Sequence, residues 1–153
     1  MIILILNMEI KKINKKLISE KIRMIDEYFS IMREIIQNYS VKEIKNNPKD
    51  LHSVEREFQM IVDTMVDINS HIISRKVLPA AEDFQSTFEI LGRNKILSLD
   101  FALKIAPIVG LRNRIVHKYE KLDIEKFLND LKTKSDNFAE YIKQINKFLK
   151  KVK

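Results

Sequence analysis

The sequence predicts an all-α protein, a four- to five-helix antiparallel bundle, and three observations lead to this fold class. The chain of 153 residues has only two glycines and three prolines, which leaves little material for the turns of a sheet protein. Its apolar residues recur at helical spacing over several long stretches. A hydrophobic fraction of 45% beside 32% charged residues fits one globular domain with an ordinary core.

Residues 1–7 are predicted to be an N-terminal extension, and residues 8–153 the single helical domain. The extension holds the apolar run Met1–Leu6, far shorter than the roughly 20 residues that span a bilayer, and no charged segment precedes it. We therefore interpret it as neither a signal peptide nor an anchor. A contact strip for another protein surface is the alternative.

The first helix is predicted from about Met8 to Tyr39. Its apolar residues recur at alternating steps of four and three, which gives one stripe along an amphipathic helix. These residues are Ile18, Ile22, Ile25, Phe29, Met32, Ile36 and Tyr39. A repeat so close to 3.5 residues per turn suits packing against another helix of the chain or against a second subunit, and the sequence leaves both open.

A turn at residues 46–50 and a break at residues 77–79 delimit the second helix. Pro48 disfavours the α region for the residue before it, and the asparagines beside it suit a turn. A third, shorter helix is predicted over Ala80–Leu91, with Gly92 as the C′ residue that follows it.

Two further helices complete the predicted bundle. Ser98 is expected to cap the fourth helix, and Pro107 should kink that helix or split it into two pieces. Asp123 is expected to cap the last helix, whose apolar face continues to Val152. The lysine-rich end of that helix complements the negative end of the helix dipole.

Composition restricts the functional class. The chain has no cysteine, so neither a disulfide framework nor a thiolate metal site is available, and the cytoplasm is the predicted location. The formal net charge of +7 permits a polyanionic partner such as RNA, while scattered lysines also fit a solvated surface. No membrane association is predicted.

The three histidines differ in their surroundings. His52 lies at the start of the second helix, where a surface or capping role is expected. His71 follows Asp67 by four residues, which predicts a structural Asp-His pair on one helical face. His117 stands apart because of the residues before it.

The segment around His117 holds the candidate active site. Asn113 precedes His117 by four residues, so on one helix its amide would lie one turn away and could orient the imidazole. Arg112 lies about 140° around the axis from His117, so both reach one phosphate only at a helix end or with a partner subunit. A histidine can move protons, a guanidinium can hold a phosphate, and RNA supplies its own 2′-hydroxyl nucleophile. These parts suffice for metal-free cleavage of RNA, although an arginine and a histidine at this spacing also fit an ordinary solvated helix end.

The same segment resembles the signature of the HEPN superfamily, and in particular that of its HepT-like ribonuclease toxins, the HepT/MntA type. Arg112-Asn113, three further residues and His117 match the superfamily pattern. Tyr119, in a His-x-Tyr element, and Asp123 match the extension that is typical of the HepT-like branch. Weaker similarity lies in residues 54–59, 67–71, 79, 84 and 91–92, so that the resemblance covers roughly residues 15–150.

This resemblance implies a dimeric, metal-independent endoribonuclease that needs no cofactor and acts as the toxin of a type II or type VII-like toxin-antitoxin system. Its implied partners are an RNA substrate and a cognate, MntA-like nucleotidyltransferase antitoxin. Arg112 would engage the scissile phosphate, Asn113 would support the site geometry, and His117 would be the general acid-base group. Tyr119 matches the tyrosine that the antitoxin modifies with AMP in some members; packing at the helix end is its alternative role.

Two other functions stay open at this point. A non-catalytic HEPN companion of a nucleotidyltransferase would offer Tyr119 or the Arg112 cleft to a nucleotide. A purely structural helical oligomer would depend on the apolar stripe of the first helix.

Overall fold

The computed structural model describes residues 12–117 and 122–153, and within them the fold is all-α, as the sequence predicts. Eight helices and no strand occur in these residues. The helices are α1 (Lys15–Asn38), α2 (Val41–Lys45), α3 (Pro48–Arg75), α4 (Phe84–Arg93), α5 (Leu99–Ile105), α6 (Ile108–His117), α7 (Ile124–Lys134) and α8 (Asp136–Lys151). With α5–α6 and α7–α8 each counted as one interrupted helix, and the short α2 set aside, five helices form the bundle.

α1 and α3 are antiparallel neighbours. Lys21, early in α1, forms an ion pair with Asp67, late in α3, at 3.4 Å. The predicted apolar stripe of α1 is largely buried within the chain. Its buried members are Ile18, Ile22, Ile25, Met32 and Ile36.

The start of α1 corrects the predicted boundary near Met8. Asn14 is extended, and its side-chain oxygen accepts a hydrogen bond from the backbone N–H of Leu17 at 3.0 Å. An asparagine in this position satisfies an N–H that has no partner inside the helix. The helix therefore begins at Lys15.

The turn between α1 and α3 contains α2, a helix that the sequence did not predict. Ser40 and Glu43 form a capping box, in which each side chain accepts a hydrogen bond from the other residue's backbone N–H. Asn47 caps α3, and Pro48 is the first residue of that helix, which confirms the predicted turn.

α4 starts and ends later than the predicted span of Ala80–Leu91. Asp83 is extended and caps the helix, which continues to Arg93, so Gly92 lies inside α4 rather than after it. A Cβ atom on Gly92 would lie only 2.5 Å from the Cβ of Ala102 in α5. Glycine is therefore needed for close packing of α4 against α5, not for the end of a helix.

Two breaks divide the second half of the bundle. Ser98 caps α5, and the chain is interrupted around Pro107 before α6 begins, both as predicted. Asp123 caps α7, also as predicted. The last helix was expected to be continuous, but it divides at Ser135, where the backbone N–H of Phe138 bonds back only three residues to the Ser135 carbonyl.

A buried polar network joins three helices in the core. The Tyr141 hydroxyl in α8 donates to Asn69 Oδ1 in α3 at 2.6 Å, and Asn69 Nδ2 donates to the Thr87 hydroxyl of α4 at 3.1 Å. Burial raises the pKa of Tyr141 well above its usual value, which keeps the hydroxyl protonated. The network fixes the relative positions of α3, α4 and α8.

Across the described residues, no helix is both long enough and apolar enough to cross a membrane. The predicted extension, residues 1–7, lies outside these residues.

Candidate active site

α6 carries the predicted catalytic segment on its solvent side. Val109 and Ile115 are buried and anchor the helix to the core. Asn113, Arg114 and His117 are exposed. The helix thus presents the polar part of the segment to solvent.

Arg112 lies at the edge of the core and binds Asp63 of α3. Its Nε donates to Asp63 Oδ1 at 2.8 Å, and its Nη2 donates to Oδ2 at 3.0 Å. Two parallel charge-assisted hydrogen bonds fix the plane of the guanidinium as well as its position. The Arg112 side chain remains 21% exposed and that of Asp63 38%, so a ligand can approach the pair from solvent.

A third contact joins Arg112 to the next residue. Arg112 Nη1 donates to Asn113 Oδ1 at 3.4 Å, a long hydrogen bond between exposed groups. A guanidinium has five N–H groups, and the bonds to Asp63 and Asn113 use three of them. Arg112 is therefore held in place while donors remain for an anion.

Asn113 supports Arg112 through this bond, whereas the expected role of its amide in orienting His117 stays a prediction. His117 is exposed and is the last residue of α6 as the structure describes it. The structure thus places Arg112, Asn113 and His117 on one helix. Tyr119 lies outside the described residues, among residues 118–121, so its role stays a prediction too.

His71 belongs to the scaffold, although not in the predicted pair with Asp67. Asp67 contacts Lys21, while His71 Nε2 accepts a hydrogen bond from the backbone N–H of Asn14 at 3.0 Å. Partial burial, with the positive charges of Arg75 and Lys21 nearby, lowers the pKa of His71. A neutral imidazole at the end of α3 therefore holds the start of α1.

Asp63 is the site residue that the sequence analysis missed. It lies 49 positions from Arg112, in the middle of α3 between the buried residues Val62 and Thr64. A carboxylate beside core positions needs a partner, because burying an unpaired charge is costly. The position of Asp63 beside core residues thus indicated that its carboxylate has a partner, but it did not show which of the 28 lysines and arginines of the chain that partner is.

The arrangement suits the binding of a phosphate. Among residues 12–117 and 122–153, no group of three or more His, Cys, Asp or Glu side chains is placed to hold a metal ion. A guanidinium fixed by a carboxylate can stabilise negative charge on phosphate oxygens, and an exposed imidazole can transfer protons.

The all-α bundle agrees with the HEPN class, whose pattern the segment Arg112–His117 resembles. A family model described as ribonuclease HepT-like matches residues 25–145. The chain belongs to the HepT-like ribonuclease family.

Two curated relatives bear nuclease names. The chain is 30% identical to the tRNA nuclease HepT of Aphanizomenon flos-aquae over 134 residues, which cover 87% of this chain and 90% of that protein. It is 24% identical to the mRNA nuclease HepT of Shewanella oneidensis over 90 residues, which cover 59% of this chain and 68% of that protein.

Solved structures share the fold. A tri-AMPylated Shewanella oneidensis HEPN toxin in complex with its MNT antitoxin matches with a TM-score of 0.81 at 22% identity, covering 88% of this chain and 98% of that chain. YutE of Bacillus subtilis, a cytosolic protein of unknown function, matches with a TM-score of 0.74 at 11% identity, covering 92% of this chain and 94% of that one.

Proposed function

We propose that this chain is a metal-independent endoribonuclease and the toxin of a type II or type VII-like toxin-antitoxin system. The observation that carries the proposal is the Arg112 guanidinium, held by Asp63 and Asn113 at the solvent boundary of the helix that also bears His117. Membership of the HepT-like ribonuclease family supports it, as do the tRNA and mRNA nuclease names of the relatives.

The proposed reaction is a transesterification within the RNA. The 2′-hydroxyl loses its proton and attacks the adjacent phosphorus, and the bond from phosphorus to the 5′-oxygen of the next nucleotide breaks. The products are a 2′,3′-cyclic phosphate and a free 5′-hydroxyl. His117 transfers protons to or from these oxygens, and Arg112 stabilises the charge that develops on the phosphate.

Asp63 and Asn113 act on Arg112 rather than on the substrate. Their bonds hold the guanidinium in one orientation, so less ordering is needed when a phosphate binds. The two N–H groups outside these bonds are those that Arg112 would offer to the phosphate.

We further propose a homodimer of residues 8–153 in the cytoplasm, with residues 1–7 as an extension, RNA as substrate and an MntA-like nucleotidyltransferase as antitoxin. The angle of about 140° between Arg112 and His117 on an ideal helix is compatible with a site completed by a partner subunit, as it is with a site at the end of α6. The AMPylated Shewanella toxin, in complex with an MNT antitoxin, supports the choice of antitoxin and of AMPylation as the modification. The choice of Tyr119 as the AMPylation candidate rests on the resemblance of its His-x-Tyr element to that of the HepT-like branch.

The test compares three proteins on a panel of cellular RNAs with divalent metal chelated. The parent should cut RNA, and His117→Ala should lose at least about 100-fold in rate, as expected for the loss of general acid-base catalysis. His52→Ala is the matched control, because His52 is also exposed but lies in α3, outside the site. It should cut as the parent does.

Two results would contradict the proposal. If the parent leaves all RNAs intact yet binds AMP or ATP tightly, the chain is the non-catalytic nucleotide-binding companion of a nucleotidyltransferase. If His117→Ala cuts as fast as the parent, the site has been assigned to the wrong residues.

A further inference from the structure

A basic cleft of about 710 Å³ lies between the α4–α5 connector and α8. Its two walls are joined where the Gln144 side-chain oxygen accepts a hydrogen bond from the backbone N–H of Ser98 at 2.8 Å. Within the described part of the chain, five cationic side chains and a single carboxylate line it. The cationic residues are Arg93, Lys95, Lys143, Lys147 and Lys151. None of the residues of the Arg112 site belongs to this cleft.

Four of the five cations in the basic cleft are available to a ligand. Arg93 pairs with Glu89 at 2.8 Å, but none of the lysines takes part in an ion pair with another described residue. The one carboxylate, Glu140, accepts a hydrogen bond from Gln144. Among residues 12–117 and 122–153, the positive charge of these four lysines is therefore not neutralised by an ion pair.

Three of the lysines form a row along α8. Lys143, Lys147 and Lys151 follow one another at intervals of four residues, which gives steps of about 6 Å along the axis. Like charges at this interval repel each other and weaken a helix. A row of this kind suits an extended polyanion, whose phosphates recur along a line, better than a single small anion.

The fourth lysine adopts a costly backbone conformation. Lys95 has a φ of 61°, in the left-handed region that glycine or asparagine occupies more readily. Lys95 directly follows Asn94, the C-cap residue of α4. A glycine at position 95 would adopt the same backbone conformation without strain. The lysine instead adds a cation to the basic cleft.

We propose that the basic cleft binds the phosphate backbone of the RNA substrate at a distance from the Arg112 site. This inference rests on the proposed ribonuclease function. Ser98, at the cleft, and Arg112 are fourteen positions apart along α5 and α6, or at most roughly 20 Å at about 1.5 Å per residue, since the interruption around Pro107 shortens the path. A strand that reaches both would span up to about six stacked nucleotides at roughly 3.4 Å each.

Binding is measured with a fluorescent, unstructured RNA of about 30 nucleotides, in a His117→Ala background that should leave the RNA intact. The test variant carries Lys143→Gln, Lys147→Gln and Lys151→Gln. The matched control carries the same change at Lys16, Lys42 and Lys49, which are exposed and lie outside the basic cleft. Both variants lose three positive charges.

The test variant should bind up to about 100-fold more weakly than its parent at 0.1 M salt, and its salt slope should fall by about 2, as expected for three lost phosphate contacts on a single strand. The control should change much less. Lys95→Gly should also weaken binding while leaving the protein equally or more stable to heat, which separates the loss of a contact from the loss of folding.

Equal binding by the test and control variants would overturn the cleft assignment. So would a test variant that binds RNA normally but loses its complex with the nucleotidyltransferase antitoxin, because the basic cleft would then be a protein interface. These outcomes are separate from failure of the ribonuclease proposal, in which RNA stays uncut even by the parent with His117 intact.

Discussion

Replacement of Asp63 by asparagine tests whether the carboxylate positions Arg112 for catalysis. Asparagine has nearly the same volume but no charge, and its amide nitrogen cannot accept a hydrogen bond from a guanidinium. One of the two bonds, at 2.8 Å and 3.0 Å, is therefore lost. Arg112 keeps its place on α6 but is free to rotate.

The expected loss of stability follows from how exposed the Arg112–Asp63 pair is. Asp63 is 38% exposed, so solvent screens its charge, and the pair stabilises the fold by about 1 kcal/mol, the upper end for an exposed ion pair. If loss of orientation raises the transition-state barrier by about 1 to 2 kcal/mol, kcat falls roughly 5- to 30-fold. KM should change little, because the donors of Arg112 remain present.

The assay is RNA cleavage under steady-state conditions, with Asp67→Asn as the matched control. Asp67 lies one turn further along α3 and also forms an ion pair, at 3.4 Å, but with Lys21 rather than with a site residue. Asp67→Asn should leave kcat unchanged. In an Arg112→Lys background, which cannot form the two-point contact, Asp63→Asn should add little to the loss.

Cleavage by Asp63→Asn at the parental rate or faster would refute this reasoning. A faster rate would mean that Asp63 competes with the phosphate for Arg112 instead of orienting it.

Four further predictions concern the scaffold. The pKa of His71 lies below its usual 6.5 in the folded protein, so the unfolded chain binds the proton more tightly. The free energy of unfolding, measured by urea denaturation, should therefore fall as the pH drops below about 6.5. This fall should be smaller in His71→Gln. Gly92→Ala should lower stability by about 1 to 3 kcal/mol, since its Cβ would lie 2.5 Å from Ala102 Cβ. Gly110→Ala should instead raise stability by about 0.5 to 1 kcal/mol, because its Cβ would lie at an ordinary contact distance, 3.9 Å, from Arg114 Nη1; thermal denaturation of both variants compares them. Tyr141→Phe leaves Asn69 without its buried donor and should cost about 1 to 3 kcal/mol, again by urea denaturation.

The helical fold was predictable because a buried stripe imposes its period on the sequence. Ile18 to Ile36 repeat every three or four residues and are buried as that pattern requires. Local chemistry also predicted the turn at Pro48, the capping role of Ser98 and the break at Pro107. These features act within a few residues of one another, so a single sequence displays them.

Contacts between distant residues were not predictable in the same way. The role of Gly92 depends on Ala102 of another helix, and the predicted pair of Asp67 and His71 gave way to contacts with α1. The start of α1 likewise depends on His71, 57 positions from Asn14. Which residues became partners depended on how the helices pack, and it could not be inferred from spacing along the chain.

In the candidate site, too, residues of a local motif were predictable and a contact between helices was not. Arg112, Asn113 and His117 were found from a local motif and lie together on α6. Asp63 was not found, because its bond to Arg112 joins two helices 49 positions apart. The motif supplied the candidate reactive groups, and only the fold revealed what holds the guanidinium.

Removal of the substrate's 2′-hydroxyl tests whether that hydroxyl is the nucleophile at the Arg112–His117 site. An RNA cut by the parent protein is synthesised again with a single 2′-deoxynucleotide on the 5′ side of the scissile phosphate, and both are incubated with metal chelated. The unmodified RNA should yield a 2′,3′-cyclic phosphate, and the modified RNA should stay intact at this bond. Cleavage of the modified bond at the same rate would contradict this role of the hydroxyl.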